Sequence, residues 1–195
     1  MIEIDARGQA CPKPVIMTKQ KLDEINQGLV VTIVDNEVAK ENVSKLAQGM
    51  GLSSIVEKKG NDYYISIEKG DREAGVETNI GYELEDITIG ISSNTMGKGD
   101  ERLGEILIKS FIYTLSETKP YPSTLVFYNG GVRLTTEGSE VLDDLKKLED
   151  AGVEIISCGT CLDFLNIKDK LEVGSISNMY TIYERLRESE KNIII

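Results

Sequence analysis

The first fold is decided by residues 2–34, which read IEIDARGQACPKPVIMTKQKLDEINQGLVVTIV. Residues 2–5 alternate apolar and acidic side chains, which is the period of a half-buried strand. The prolines at positions 12 and 14 mark a helix start, because the first N–H groups of a helix have no internal partner and proline forfeits nothing there. Gly28 ends the helical pattern, and the apolar, β-branched run 29–34 predicts a central strand.

The alternation of helices and strands continues to about residue 70. Asp35 or Asn36 can cap a second helix that ends at Gly49 to Gly51. Two more strands, around 54–58 and 63–68, flank a turn signal at 60–62. The order β-α-β-α-β-β predicts a two-layer α/β sandwich over residues 1–70.

Residues 71–86 are rich in glycine and acidic side chains and have no period, so we predict a linker before a second domain at 87–195. Strands are predicted there at 87–92, 124–128 and 153–158, and helices at 139–151, 161–167 and 178–188. Asp100 can cap a further long helix, whose predicted apolar face is Leu103, Ile106, Leu107, Phe111 and Leu115. Apolar strands that alternate with helices predict a three-layer α/β/α domain with a mostly parallel sheet.

The charge and composition of the chain exclude several classes of function. Its 195 residues include 33 acidic and 22 basic side chains, with a net charge of -11 and no histidine. A negative surface argues against nucleic acid as a partner, and the lack of histidine removes Ser-His and Cys-His relays and the usual zinc ligand.

The same sequence predicts a cytoplasmic protein with reduced thiols. The first residues have no basic and apolar leader pattern, and no apolar run approaches the ~18–20 residues that span a bilayer. The three cysteines are too few for a secreted disulfide framework. We therefore expect no membrane partner, no cofactor and no metal.

Cys11 is the first candidate nucleophile. The spacing places it at or just before a proline-fixed helix start, where a sulfur would face unpaired N–H donors and the positive end of the helix. These groups and the nearby Lys13 ammonium favour the thiolate, which is the nucleophilic form and the form that carries a persulfide. On the residues alone a structural alternative has equal weight, with Cys11 as a small side chain and Pro12 and Pro14 serving only to start the helix.

Residues 1–70 closely resemble the TusA/SirA family of small sulfur carriers. The resemblance rests on three motifs, Asp5-Ala6-Arg7-Gly8, Cys11-Pro12-Lys13-Pro14 and Asp35-Asn36. In that family the cysteine of the CPxP motif accepts a persulfide sulfur from a cysteine desulfurase and passes it on. The resemblance implies that Cys11 is the carrier nucleophile, that Pro12 and Pro14 shape its presentation, and that Arg7 and Lys13 steer an anionic sulfur. For Arg7 a surface salt bridge is the alternative.

The second candidate site is Cys158-Gly159-Thr160-Cys161, between a predicted strand and the next helix. The carboxyl ends of parallel strands are where open α/β sheets place their sites. A helix start there can lower the pKa of one thiol while the other resolves a mixed disulfide, and Gly159 permits a tight turn. The alternative is a pair of small buried side chains; zinc is disfavoured because a structural site needs four ligands.

Two loops are predicted beside this second site. Asn129-Gly130-Gly131 follows the neighbouring strand, so its backbone donors can face the same crevice; the alternative is a turn in which glycine supplies a positive φ. Asn129, Gly130, Gly159 and Thr160 are the candidate substrate-binding residues. The loop 93–99 lacks the phosphate-loop pattern, and we expect it to be flexible.

Residues 87–195 resemble the DsrE/DsrF-like family, whose members are α/β sulfur-relay proteins that assemble as oligomers. The matching segments are 89–93, 127–132 and 158–162, and the Cys-x-x-Cys departs from the single cysteine of the better-known members. A TusA-like domain fused to a DsrE-like domain resembles the sulfurtransferase-like proteins associated with selenium metabolism.

Together the two resemblances imply a sulfur or selenium carrier that relays a persulfide through Cys11 and the Cys158/Cys161 site. Its expected partner is a cysteine desulfurase or another sulfur-relay protein, and its expected state is a homo-oligomer formed through the C-terminal domain. Two alternatives remain open, a dithiol redox protein or sensor that uses Cys158 and Cys161, and a non-catalytic regulatory module.

Overall fold

A computed structural model describes residues 1–70 and 84–195 of the chain. It divides into two compact units, Met1–Thr78 and Asn79–Ile195. Most of the predicted linker, 71–83, lies outside the described residues. The last three positions of that prediction, 84–86, are the start of a strand, so the first strand of the second unit begins three residues earlier than predicted.

The first unit has the predicted order of two helices and four strands. These elements are β1 (Ile2–Asp5), α1 (Lys13–Glu24), β2 (Gly28–Val34), α2 (Glu37–Gly49), β3 (Ser53–Lys59) and β4 (Asp62–Lys69). The sheet order is β1-β2-β4-β3, in which β1 runs parallel to β2 and the other pairs are antiparallel. The predicted two-layer sandwich is confirmed.

The core of the first unit lies between the sheet and its two helices. The fully buried apolar side chains there come from both layers and are Leu22, Val30, Val34, Val43, Ala47, Ile65 and Ile67. Two buried hydroxyl groups also join the helix layer to the sheet: the hydroxyl oxygens of Thr18 in α1 and Thr32 in β2 lie 2.8 Å apart. The Thr18 hydroxyl also donates to the Pro14 carbonyl at 2.8 Å, which fixes the first turn of α1.

The loop before Cys11 is tied to the end of β2. The Gly8 N–H donates to the Asp35 carboxylate at 2.7 Å, and this bond is the largest cause of the lowered pKa of Asp35. Asn36 caps α2 by accepting from the Ala39 N–H at 2.9 Å. Of the two predicted caps, Asn36 is therefore the cap and Asp35 holds the loop.

The second unit contains five strands and four helices among the residues described. They are β5 (Leu84–Ile91), α3 (Glu101–Glu117), β6 (Tyr121–Phe127), α4 (Leu142–Asp150), β7 (Glu154–Cys158), α5 (Gly159–Phe164), β8 (Ser175–Ser177), α6 (Met179–Glu188) and β9 (Lys191–Ile194), with 3-10 turns at Asn129–Thr135 and Lys168–Lys170. The sheet order is β8-β7-β6-β5-β9 and every pair is parallel. The predicted α/β/α domain is confirmed, with a sheet that is wholly parallel.

The predicted apolar face of α3 is partly wrong. Leu103, Ile106 and Leu107 are 53%, 60% and 42% exposed, whereas the residues that face the core are Gly104, Ile108, Ile112 and Ser116. Phe111 and Leu115 do pack against the core. The helix carries apolar side chains on two faces, and Gly104 lets it pack against the loop at 95–96, so the hydrophobic period alone predicts the wrong buried face.

Two further features of the second unit bear on the chemistry. Helix α5 begins at Gly159, two residues before the predicted start, so Cys158 is its N-cap residue. Asp100 caps α3 as predicted, by accepting from the Leu103 N–H at 3.0 Å. Within the two described ranges, no helix combines the length and apolar character that a membrane span requires.

Candidate functional site

Cys11 lies at the end of the β1–α1 loop with an exposed thiol. Pro12 is the N-cap of α1, the Cys11–Pro12 peptide bond is cis, and Pro14 is buried in the first turn. The thiol lines a cleft of about 200 Å³ between the starts of α1 and α2, together with Gln9, Ala10, Pro14, Val15, Asn36, Val38, Ala39 and Asn42. All of these lining side chains are uncharged.

The amide donors expected beneath Cys11 are absent or already used. Pro12 and Pro14 have no N–H, the Lys13 N–H donates to the Ala10 carbonyl at 3.0 Å, and the Val15 N–H donates to the Pro12 carbonyl at 3.0 Å. The expectation that unpaired amides hold the sulfur is therefore wrong. The same prolines that fix the helix start remove the donors that a thiolate would need.

The sulfur of Cys11 instead accepts a hydrogen bond from a side-chain amide of helix α2. Asn42 of α2 donates through Nδ2 to the Cys11 Sγ across 3.8 Å, a distance at which sulfur still accepts a weak hydrogen bond. Sequence reasoning missed Asn42, because the contact joins two helices and no local motif marks it. The Asn42 amide is therefore the polar group that the structure places against the Cys11 sulfur.

Arg7 is an ion-pair residue rather than a ligand of the sulfur. Its guanidinium donates to Asp5 at 2.6 and 2.9 Å and to Asp62 at 3.0 Å. These bonds raise the pKa of Arg7 and lower the pKa of Asp5 to about 2, with the side-chain bond as the largest cause. The expected steering role is thus replaced by the salt bridge that was its alternative. Lys13 is exposed at the first residue of α1.

The second thiol pair lies at the carboxyl end of β7, where the parallel sheet places its loops. Cys158 is 2% exposed, and Cys161, in the first turn of α5, is half-buried. Cys158 immediately precedes α5 and Cys161 lies three residues later, so the two thiols are neighbours at the start of this helix. Because β6 pairs with β7 in parallel, the residues after β6 reach the same place, and the Asn129 N–H, two residues beyond the end of β6, donates to the Cys161 Sγ at 3.1 Å.

Burial, not the helix start, dominates the acidity of Cys161. Its pKa is raised, first by burial and then by the hydrogen bond with Cys158, while the Asn129 N–H acts in the opposite direction. A desolvated thiolate is disfavoured unless donors compensate for the lost water, and one backbone amide does so only in part. The expectation of a lowered thiol pKa does not hold for Cys161.

The glycines beside the pair serve close packing rather than positive φ. The left-handed residue of the turn is Asn129, with φ of 50°. A Cβ at Gly131 would lie 2.2 Å from the Ile91 carbonyl oxygen, and one at Gly130 would lie 3.3 Å from the Asn94 side chain. The predicted crevice donor is therefore Asn129, and Gly131 lets its turn approach β5.

The cleft above Cys161 is open and largely apolar. It measures about 280 Å³ and is lined by Asn129, Thr160, Cys161, Phe164 and Leu165. Phe164 is 84% exposed. Gly130 and Gly159 do not line it: a Cβ at Gly159 would come 3.0 Å from Ile176, so this glycine allows β8 to pack beside the turn.

The loop 93–99, which the sequence predicts to be flexible, is anchored. The Met96 N–H donates to the Gly104 carbonyl at 2.9 Å, and the hydroxyls of Ser93 and Thr95 lie 2.9 Å apart. A Cβ at Gly104 would lie 2.9 Å from the Thr95 side chain, so the loop packs tightly on α3. Among the residues that the structure describes, no group of three or more metal-ligating side chains is found.

Comparison with known proteins finds two families along the chain. The family model of the sulfurtransferase TusA matches residues 2–69, and that of the DsrE/DsrF-like family matches residues 106–194. A protein of Methanocaldococcus jannaschii, named "putative sulfur carrier protein", is 35% identical over 57 residues, which are 29% of this chain and 76% of that protein.

Solved structures resemble each unit separately. The SirA-like protein of Desulfitobacterium hafniense is 42% identical, covers 36% of this chain and all of its own, and gives a TM-score of 0.35. A protein of unknown function from Methanobacterium thermoautotrophicum is 22% identical, covers 56% of this chain and 97% of its own, and gives a TM-score of 0.43.

Proposed function

Because the chain belongs to the TusA family through residues 2–69 and carries a DsrE/DsrF-like domain at 106–194, we propose that it is a two-site sulfur carrier. The families place it in sulfur relay. In the proposed relay Cys11 accepts a persulfide sulfur and exchanges it with Cys161. The carrier domain is 1–70, and the second domain includes 84–195, since its first strand begins at Leu84.

The observation that carries the proposal is the exposed Cys11 thiol in an uncharged cleft. A carrier thiol has to reach the sulfur of a second protein, which requires exposure, and it has to release the sulfur again. In the loading step the Cys11 thiolate attacks the terminal sulfur of the donor persulfide. The donor cysteine leaves as a thiolate, and the new S–S bond lies on Cys11.

Asn42 is the residue that we propose to hold the loaded sulfur. Its amide already donates to Sγ at 3.8 Å, and the terminal sulfur of a persulfide carries negative charge that accepts such a bond more strongly. Pro12 and Pro14 fix the backbone on which Cys11 is presented, and Lys13 is the exposed cation nearest in sequence.

At the second site, Cys161 is the proposed acceptor. It lines the open cleft, and the Asn129 N–H at 3.1 Å stabilises negative charge on its sulfur. Thr160 lines the same cleft and is proposed to contact the incoming sulfur. A cysteine desulfurase or another relay protein is the proposed partner, and either sulfur or selenium can be held on a thiolate in this way.

We also propose a homo-oligomer formed through the C-terminal domain. The exposed apolar side chains Leu103, Ile106 and Leu107 support it, since they share one face of α3. Light scattering of the full chain tests it: the particle mass should exceed that of one chain and should fall in Ile106→Glu. A monomer in both cases contradicts it.

The experiment for the relay uses the full chain with a cysteine desulfurase and cysteine, without oxygen, followed by peptide mass spectrometry. The Cys11 peptide should gain the mass of one sulfur atom, and a parallel reaction with selenocysteine in place of cysteine tests whether it also takes selenium. Cys161→Ser should still load at Cys11, and Cys11→Ser should lose loading at both sites. Unmodified Cys11 would reject the relay, and so would equal loading of Cys161 in Cys158→Ser and in Cys11→Ser/Cys158→Ser.

A dithiol redox protein is the second candidate, favoured by the position of Cys158 and Cys161 three residues apart at the start of α5. A redox titration separates it from the carrier. A reversible disulfide at a thioredoxin-like potential, together with full function in Cys11→Ser, would favour the redox protein.

A further inference from the structure

The two thiols of the second site differ in access. Cys161 lines the open cleft and is half-buried, whereas Cys158 is 2% exposed at the end of a central strand. A sulfur donor can therefore reach Cys161 but not Cys158. The buried thiol lies three residues before the accessible one, at the start of the same helix, so it can act on a bound sulfur only through Cys161.

We propose that this pair is a persulfide reductase: once Cys161 has received sulfur, Cys158 attacks it and releases hydrosulfide into the cleft. The inference rests on the proposed function, since it needs a persulfide on Cys161. It adds an activity to the carrier, because sulfur leaves in the reduced form rather than as a persulfide passed to another thiol.

The step balances without an outside oxidant or reductant. The Cys158 thiol gives up its proton, which reaches the terminal sulfur through the water of the open cleft, and the thiolate electron pair forms a bond to the Cys161 Sγ. The bond between Sγ and the terminal sulfur breaks, and its electron pair leaves with that sulfur as HS⁻. The products are a Cys158–Cys161 disulfide and hydrosulfide, so the carried sulfur is reduced and the dithiol is oxidised.

The geometry favours attack on Sγ rather than on the terminal sulfur. The open space at this site is the cleft of about 280 Å³, which Cys161 lines and Cys158 does not, so a sulfur atom added to Cys161 has room in the cleft and not beside the buried thiol. A terminal sulfur that projects into this cleft lies away from the buried thiol and is free to leave. Attack on the terminal sulfur would need space for an extra atom beside Cys158, which is buried.

The backbone can accept the disulfide that results. Cys158 is the N-cap of α5 and Cys161 lies three residues later in its first turn. Side chains at this helical spacing lie about 5–6 Å apart at Cβ, so the small rotation that brings them to the ~3.8 Å of a disulfide involves only the first turn. A dithiol reductant, small or protein-bound, regenerates the pair by attacking the accessible Cys161 sulfur.

The test bypasses the first site. Full-length Cys11→Ser is mixed with limiting inorganic polysulfide without oxygen. The free hydrosulfide that is released and the mass of the protein are then measured. Cys11→Ser should form the Cys158–Cys161 disulfide with no sulfur retained, and release one more hydrosulfide per chain than the matched double variants. Cys11→Ser/Cys158→Ala and Cys11→Ser/Cys158→Ser should keep one added sulfur on Cys161 and lose the extra hydrosulfide.

Three results would overturn the reductase. They are sulfur that stays on Cys161 while Cys158 is present, a sulfur found on Cys158, and equal hydrosulfide release by the double variants. Circular dichroism of all variants establishes that they are folded. Because polysulfide loads the second site directly, these results do not depend on whether a desulfurase loads Cys11, and the two proposals can fail separately.

Discussion

The buried hydroxyl pair beneath the Cys11 loop gives an asymmetric prediction. Thr18 has one hydroxyl proton, which it donates to the Pro14 carbonyl at 2.8 Å. The 2.8 Å contact between the two hydroxyls must then be a donation from Thr32 to Thr18. Both side chains are fully buried, so neither can turn to water when its partner is removed.

The size of each effect follows from which group is left unpaired. Thr18→Val leaves the Thr32 O–H without an acceptor among the described residues, and such a buried group costs about 1–3 kcal/mol. Thr32→Val removes that donor together with its bond and leaves the Thr18–Pro14 bond intact, so the expected loss is about 0.5–1.5 kcal/mol. The double variant should lose less than the sum, because no unpaired donor remains.

Amide hydrogen exchange of β2 in the full chain measures these losses for the first unit directly. The free energy of opening at the most protected amides of β2 should fall most in Thr18→Val and least in Thr32→Val. Urea unfolding should follow the same order; with a slope of ~1–3 kcal/mol/M, a loss of about 1–3 kcal/mol lowers the midpoint by about 0.3–3 M. Equal losses in the two single variants, or a strictly additive double variant, would refute the assigned direction of the bond.

Three shorter predictions concern other sites. Gly131→Ala should lower the free energy of unfolding of the second unit, measured in urea, by about 1–3 kcal/mol, because the added Cβ would lie 2.2 Å from a backbone oxygen and overpack the site. Gly130→Ala should cost less, because its Cβ would lie 3.3 Å from a side chain that can move. Arg7→Ala should return the pKa of Asp5 from about 2 toward about 3.9 in a carboxyl NMR titration. The ion pair stabilises the fold above about pH 4, and this stabilisation is lost as the pH falls through 2. The stability of the variant should therefore change less than that of the unmodified protein between pH 4 and pH 2. Burial raises the pKa of Cys161, so its alkylation by iodoacetamide, followed by peptide mapping, should have its midpoint at a higher pH than that of free cysteine measured alongside. A midpoint below that of free cysteine would contradict the role of burial.

Much of the fold is visible in the sequence because local signals agree with the topology. Strand runs such as 29–34, the prolines at 12 and 14 and the Asn36 cap each have a local physical cause, and the structure retains them. The face of α3 is not visible in this way. Both of its faces are apolar, and which one is buried depends on the fit of Gly104 against the loop at 95–96.

In the candidate sites too, some features can be predicted from local sequence and others depend on the fold. The cysteines stand out through their motifs, but their surroundings come from distant parts of the chain. Asn42 reaches Cys11 from another helix and Asn129 reaches Cys161 from another strand. The acidity of Cys161 depends on burial, which no neighbouring residue in the sequence reveals. Residue spacing also predicts amide donors near Cys11 but does not show that Ala10 and Pro12 already accept them.

The concealment of Cys158 has a practical use at the bench. The sequence holds three cysteines, but a bulky colorimetric reagent added to the intact protein should count only those at the surface and in the open cleft. Addition of denaturant should then release one more equivalent of colour. A preparation that already yields the complete count in plain buffer has lost the packing around the end of β7, and it can be discarded before any assay is attempted.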